Sequence, residues 1–147
     1  MCALQSRPKM DLGSNLLEDT QMQFGYFLNQ NNLNLEKPFG QVLAESRDIA
    51  RYCDEHDWQS IWTTEHHFGH EGLEVCPNPV LMSTDIAART RNIRIGQAAN
   101  IITFRHPIQV AEDLAMLDQM CDGRLEVAVG RGIYPRETIN MNPLADV

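Results

Sequence analysis

The sequence predicts an α/β protein of alternating parallel strands and helices, with its chemistry gathered at one end of the sheet. Three observations predict it. Short apolar runs of strand length alternate with longer stretches whose apolar residues recur at helical spacing. Connections from helix to strand are short, at residues 56–59, 91–92 and 122–123. Connections from strand to helix are long and polar, at residues 29–37, 65–78, 100–106 and from 131 onward. In parallel α/β folds the loops at the carboxyl ends of the strands hold ligands and reacting groups, while the opposite rim serves stability.

Each element has its own signal. Phe24-Gly25-Tyr26-Phe27-Leu28 is an apolar, aromatic run that fits a buried first strand, over residues 23–28. Pro38 opens a helix whose Phe39, Val42, Leu43, Ser46, Ile49, Ala50 and Cys53 share one face. The turn His56-Asp57-Trp58-Gln59 leads into a second strand at residues 60–64. A second helix is expected from Pro79 to about Thr90, and Arg91-Asn92 turns into a third strand at residues 93–99. Pro107 starts a third helix with Ile108, Ala111, Leu114, Leu117, Met120 and Cys121 on one side. Cys121-Asp122-Gly123 ends it, because glycine accepts the left-handed backbone that closes a helix. The fourth strand is expected at residues 124–130. Four such βα units make half of a TIM (β/α)8 barrel, whose closure takes eight strands and roughly 250 residues. The reading is therefore of a half-barrel over residues 22–147, either the N-terminal part of a longer protein or a half-barrel that must pair, preceded by a disordered leader at 1–21.

Composition bounds the partners. The chain is 147 residues long, 43% hydrophobic and 22% charged, as expected of one globular domain. A net charge of −8 argues against nucleic acid and against an anionic membrane surface. No run approaches the length of a membrane span or of a signal-peptide core. Cys2, Cys53, Cys76 and Cys121 are widely spaced without a C-x-x-C pair, which fits reduced thiols and a cytoplasmic location.

The most informative stretch is Thr64-Glu65-His66-His67-Phe68, directly after the second strand. Imidazole titrates near neutral pH, so two histidines and a carboxylate at a strand end are candidates for acid–base work. Adjacent residues on an extended chain face opposite ways, so one histidine faces a site and the other is structural. A cluster of Glu65, His66, His67, His70, Glu71 and Cys76 also admits a zinc site of a metal-dependent hydrolase. Such a site needs ligands from several strand ends, and Leu28-Asn29 brings no histidine to it.

Three stretches together resemble the bacterial luciferase-like, flavin-dependent monooxygenases, especially the luciferase α-chain and related alkanal monooxygenases. They are Glu65-His66-His67-Phe68 with Asn78-Pro79, then Ile95-Gly96-Gln97-Ala98-Ala99, then His106-Pro107 through Met120 into Gly123-Arg124-Leu125. Val129-Gly130-Arg131-Gly132-Ile133-Tyr134 extends the likeness. The resemblance implies a TIM barrel that uses reduced FMN, supplied by a separate flavin reductase, and dioxygen to oxidise an organic substrate such as a long-chain aldehyde. It implies that His66 is the catalytic imidazole, with Glu65 beside it in the cofactor site. It places a non-proline cis peptide at Ala98-Ala99 against the flavin ring and Arg131 towards the flavin phosphate. It also implies a homo- or heterodimer through the helices carrying Glu112, Asp113 and Asp118. Gly130 departs from the cysteine that some light-emitting relatives carry. A non-catalytic flavoprotein or partner subunit of the same fold, and a deazaflavin-dependent relative, are the neighbouring alternatives. No G-x-G-x-x-G nicotinamide fingerprint occurs, so electrons are expected to arrive on the flavin.

Overall fold

The computed structural model describes residues 22–141, and the expected leader at 1–21 lies outside the described residues. Four strands form one sheet: β1 (Gly25–Leu28), β2 (Ser60–Thr63), β3 (Arg94–Ile101) and β4 (Leu125–Gly130). Their order in space is their order in the chain, and every neighbouring pair is parallel. The register aligns Tyr26 with Ile61, Ile61 with Ile95, and Ile95 with Leu125. Helices α1 (Phe39–Glu55), α2 (Pro79–Ala87) and α3 (Pro107–Met120) fill the crossovers. The architecture is that of a partial (β/α)8 barrel, as the alternation of elements predicts.

Helix α2 packs against β2 and β3 and has α1 and α3 beside it. The core lies between sheet and helices, where Ile61, Ile93 and Ile95 meet Ala50, Cys53, Ile86 and Cys121. On the other face of the sheet Trp62 lies over Gly96. A Cβ on Gly96 would come within 2.2 Å of the indole, so only glycine lets the two strands carry that ring. The helix starts follow the residues at their caps: Asn78 Oδ1 accepts the Leu81 N–H at 3.0 Å, and His106 Nδ1 accepts the Ile108 N–H at 3.3 Å. Proline occupies the first turn in both helices.

The structure corrects the reading at several points: β1 is half-exposed rather than buried, with Phe27 52% exposed, and α2 ends at Ala87 rather than about Thr90. Strand β3 runs on to Ile101, past Ala99. Residues from 131 onward are not all loop, because a short helix α4 (Pro135–Met141) follows β4. Its seven residues carry no apolar stripe, so periodicity could not announce it.

The rim away from the long loops is held by two side chains. Asp54, at the end of α1, accepts the backbone N–H groups of Arg91, Asn92 and Ile93 at 2.9, 2.8 and 2.7 Å. Burial would raise its carboxyl, but the three N–H donors, Ile93 foremost, and the Arg124 guanidinium outweigh that and hold it below the ordinary range. A depressed folded-state value means that the stabilisation is present above the unfolded value, near 3.8, and is lost as pH falls through the folded one. Asp54→Asn should therefore lower the urea midpoint most near neutrality, where the carboxylate's contribution is fully present, and the two proteins should converge as pH falls below about 4. Parallel acid profiles for the two proteins would refute this role.

Candidate active site

The opposite rim gathers the residues singled out in the sequence. The chain leaves β2 through Thr64 and Glu65, and Glu65 turns inward with only 2% of its surface exposed. Its Oε2 accepts the Ile101 N–H at 2.8 Å, and its Oε1 lies 3.1 Å from His67 Nε2 and 3.9 Å from the Arg105 guanidinium. A buried carboxylate needs such partners. Glu65 thereby ties the end of β2 to the end of β3. His67 completes that knot, its ring edge-on to Phe104 at 5.7 Å.

His66 points elsewhere. Its Nε2 lies 2.8 Å from Glu74 Oε2, its Nδ1 lies 3.4 Å from Glu137 Oε1, and its ring meets Tyr134 edge-on at 5.6 Å. Its backbone N–H donates to the Cys76 carbonyl at 2.8 Å, which anchors the loop. The two adjacent imidazoles thus have different side-chain partners, as the alternation of an extended chain requires.

His66, Glu65, Ala98, Ala99 and Arg131 line one cavity of about 230 Å3. Five residues from three strand ends converge there, every one of them singled out in the sequence. The Ala98–Ala99 peptide bond is cis. Gly130 and Gly132 keep the wall low: a Cβ on Gly130 would press on Ala99 Cβ at 3.2 Å, and one on Gly132 would press on Phe104 Cζ at 3.1 Å. The left-handed φ of 83° at Gly132 also favours glycine. Between them the Arg131 carbonyl accepts the Thr103 hydroxyl at 2.7 Å, while the residue remains exposed at the mouth. A second hollow of about 340 Å3 lies against His66 and is lined by Glu71, Glu74, Tyr134 and Arg136. An apolar hollow of about 250 Å3 between α1 and α2 stands apart from this rim. Its charged residues, Arg47 and Asp85, are bonded to each other.

The zinc alternative finds no geometry to support it. His66 pairs with Glu74, His67 with Glu65 and His70 with Glu71, and among the described residues no three such groups are placed to hold a metal ion. Arg136 binds Glu71 and holds its carboxyl below the ordinary range. Burial pushes the Cys76 thiol up to about 11, which keeps it protonated and unreactive.

Glu74 and Glu137 escaped the sequence reading, and Tyr134 entered it only as the end of a family-like stretch, with no role at the site. Glu137 is 2% exposed and sits in the first turn of α4, the helix without a periodic signal. The pair Pro135 and Glu137 is a helix-start pattern that would have pointed to it. His106, by contrast, serves as the cap of α3 and does not line the cavity.

A parallel βα sheet whose strand ends surround a histidine-lined cavity is the arrangement that (β/α)8-type folds carry at the carboxyl rim. The family model described as luciferase-like monooxygenase matches residues 22–146, and the chain belongs to this family. The oxygenase component of the flavin-dependent trigonelline monooxygenase of Acinetobacter baylyi is 31% identical over 125 residues, which are 85% of this chain and 34% of that protein. The alkanal monooxygenase alpha chain of Photorhabdus laumondii is 32% identical over 119 residues, 79% of this chain and 32% of that one. Among solved structures, the monooxygenase RslO1 of Streptomyces bottropensis superposes with a TM-score of 0.75 at 37% identity, covering 82% of this chain and 36% of that one. The chain thus spans about a third of the length of these relatives. No helix among the described residues is long and apolar enough to cross a membrane.

Proposed function

We propose that this chain supplies the N-terminal part of a two-component monooxygenase that takes reduced flavin mononucleotide from a separate reductase and uses dioxygen to oxidise a small organic substrate. The observation that carries the reading is the convergence of His66, Ala98, Ala99 and Arg131 on one cavity at the carboxyl rim. Those residues fit a flat, phosphate-bearing cofactor. Ala98 and Ala99 offer a wall of small side chains, the glycines on either side of Arg131 leave room for close approach, and the arginine brings a cation to the mouth. When bound, the flavin supplies the electrons that activate dioxygen.

The chain's own residues then have separate tasks. His66 presents an imidazole to the cavity and is the group assigned to give and take the proton there. Glu65, with its oxygens engaged by Ile101 and His67, keeps the cavity wall in shape beside the cofactor. A long-chain aldehyde is the first substrate to test, since alkanal monooxygenase chains are among the relatives. Dimerisation through α2 and α3 is supported by Leu81, Met116 and Met120, all more than half exposed on those helices. A cytoplasmic location is supported by the free, buried thiols of Cys53, Cys76 and Cys121.

The test uses the full-length protein. Oxygen consumption and aldehyde oxidation should require reduced flavin from an added reductase or photoreduction. Direct oxidation of NADH at comparable rates with no added flavin would refute the assignment.

A further inference from the structure

We propose that Glu137 is a positioning residue for His66, fixing both the path of the chain through the histidine pair and the rotation of the His66 ring; this rests on His66 acting at the cavity. A glutamate in the first turn of a helix ordinarily stays at the surface, where it favours its own helix end. Glu137 does not. It is 2% exposed and reaches across to a loop some seventy residues earlier in the chain.

One atom makes both contacts. Glu137 Oε1 accepts the backbone N–H of His67 at 2.8 Å and lies 3.4 Å from His66 Nδ1. The first contact sets the peptide between the two histidines, and with it which of them looks into the cavity. The second places an acceptor at one edge of the ring, opposite Glu74 on the other edge at 2.8 Å. Tyr134, one helix turn before Thr138, closes the ring's side from the same segment. The ring therefore has a partner in each direction in which it could swing, and the buried one comes from α4. A carboxylate at each nitrogen holds the imidazole in one rotation, and the shorter contact, to the more exposed Glu74, is the one that must open for that nitrogen to meet a reacting group, while buried Glu137 keeps the ring in place.

Glu137→Gln keeps an oxygen where Oε1 stands, whereas Glu137→Leu removes the acceptor and keeps the bulk. In the full-length protein, Glu137→Leu should lower kcat by about tenfold or more with little change in the flavin KM, and Glu137→Gln should restore most of that loss. In a His66→Ala background the same Glu137→Leu change should cost less than about twofold, because the ring it positions is gone. The His66 ring resonances, assigned in 15N-labelled protein by comparison with His66→Ala, should shift in Glu137→Leu and stay near their native positions in Glu137→Gln. Equal losses from Glu137→Leu with and without His66, or ring resonances indifferent to it, would overturn the proposal. If His66→Ala itself keeps full turnover, the catalytic reading of His66 fails, and the ring resonances still decide whether Glu137 positions it. If Glu137→Leu does not fold, Glu137→Ala in its place carries the same comparison.

Discussion

His66→Ala in the full-length protein should slow turnover by about 10²- to 10⁴-fold, the usual contribution of a positioned acid–base group, while leaving flavin binding in place. His66 lines the cavity and has its ring partners at Glu74 and Glu137, so its loss removes chemistry without opening the core. His67→Ala should act differently. Its ring is bound to Glu65, which is itself bound to the Ile101 N–H, so removal leaves a buried carboxylate short of a partner. That variant should lose stability, by about 1–3 kcal/mol, and keep most of its turnover once folded. Aldehyde oxidation with photoreduced flavin, alongside urea denaturation of both variants, separates the two roles. Loss of turnover in His67→Ala with retention in His66→Ala would reverse the assignment. Full activity in both would return the pair to a structural role.

The second large effect is expected at Arg124, where β4 begins. Its guanidinium donates to the Cys121, Ile93, Ala87 and Thr90 carbonyls and to the Thr90 hydroxyl, at 2.9 to 3.3 Å. These groups come from the ends of α2 and α3 and the start of β3, so one side chain joins three elements at the stability rim. Arg124→Ala should lower the unfolding free energy by about 3 kcal/mol, because several acceptors lose a charged donor together. Arg124→Lys should recover only part of it, since an ammonium cannot reproduce the planar fork of donors. Urea denaturation of the three proteins measures this, and an Arg124→Ala midpoint equal to the native one would refute it.

Much of this architecture was legible because its signals are local. The strands lie where apolar runs fall, and the starts of α2 and α3 follow Asn78-Pro79 and His106-Pro107. The placing of the long loops at one end identified the rim that carries the cavity. What was hidden depends on partners far apart in sequence. Nothing near Asp54 says that its carboxylate will cap a turn some 37 residues later, and nothing near Glu137 says that it will reach His67. Arg124 was read as the first residue of a strand, when its work is done by a side chain reaching back to α2. The family likeness supplied the interest in His66, Ala98, Ala99 and Arg131. Their convergence in space is a property of the folded chain.

Strand β3 carries one residue more than its partner can match. Ala98 pairs with Ala128 and Asn100 with Val129, so the pairing skips Ala99. Up to that point the buried side chains, Ile93, Ile95 and Gln97, sit at odd-numbered positions, with Gly96 between them bearing none; beyond it the buried Asn100 donates to Gln97 Oε1 at 3.0 Å, and Ile101 turns its N–H to Glu65. The strand has changed parity. Length is therefore more stringent than identity at this position. Exchange of Ala99 for another small residue preserves the phase of everything downstream, whereas excision of one residue would send Asn100 and Ile101 to the wrong faces and detach Glu65 from β3. In a library of single-residue deletions, the segment from Ala98 to Ile101 should be among the least tolerant, while the long loop after β2 absorbs changes of length more readily.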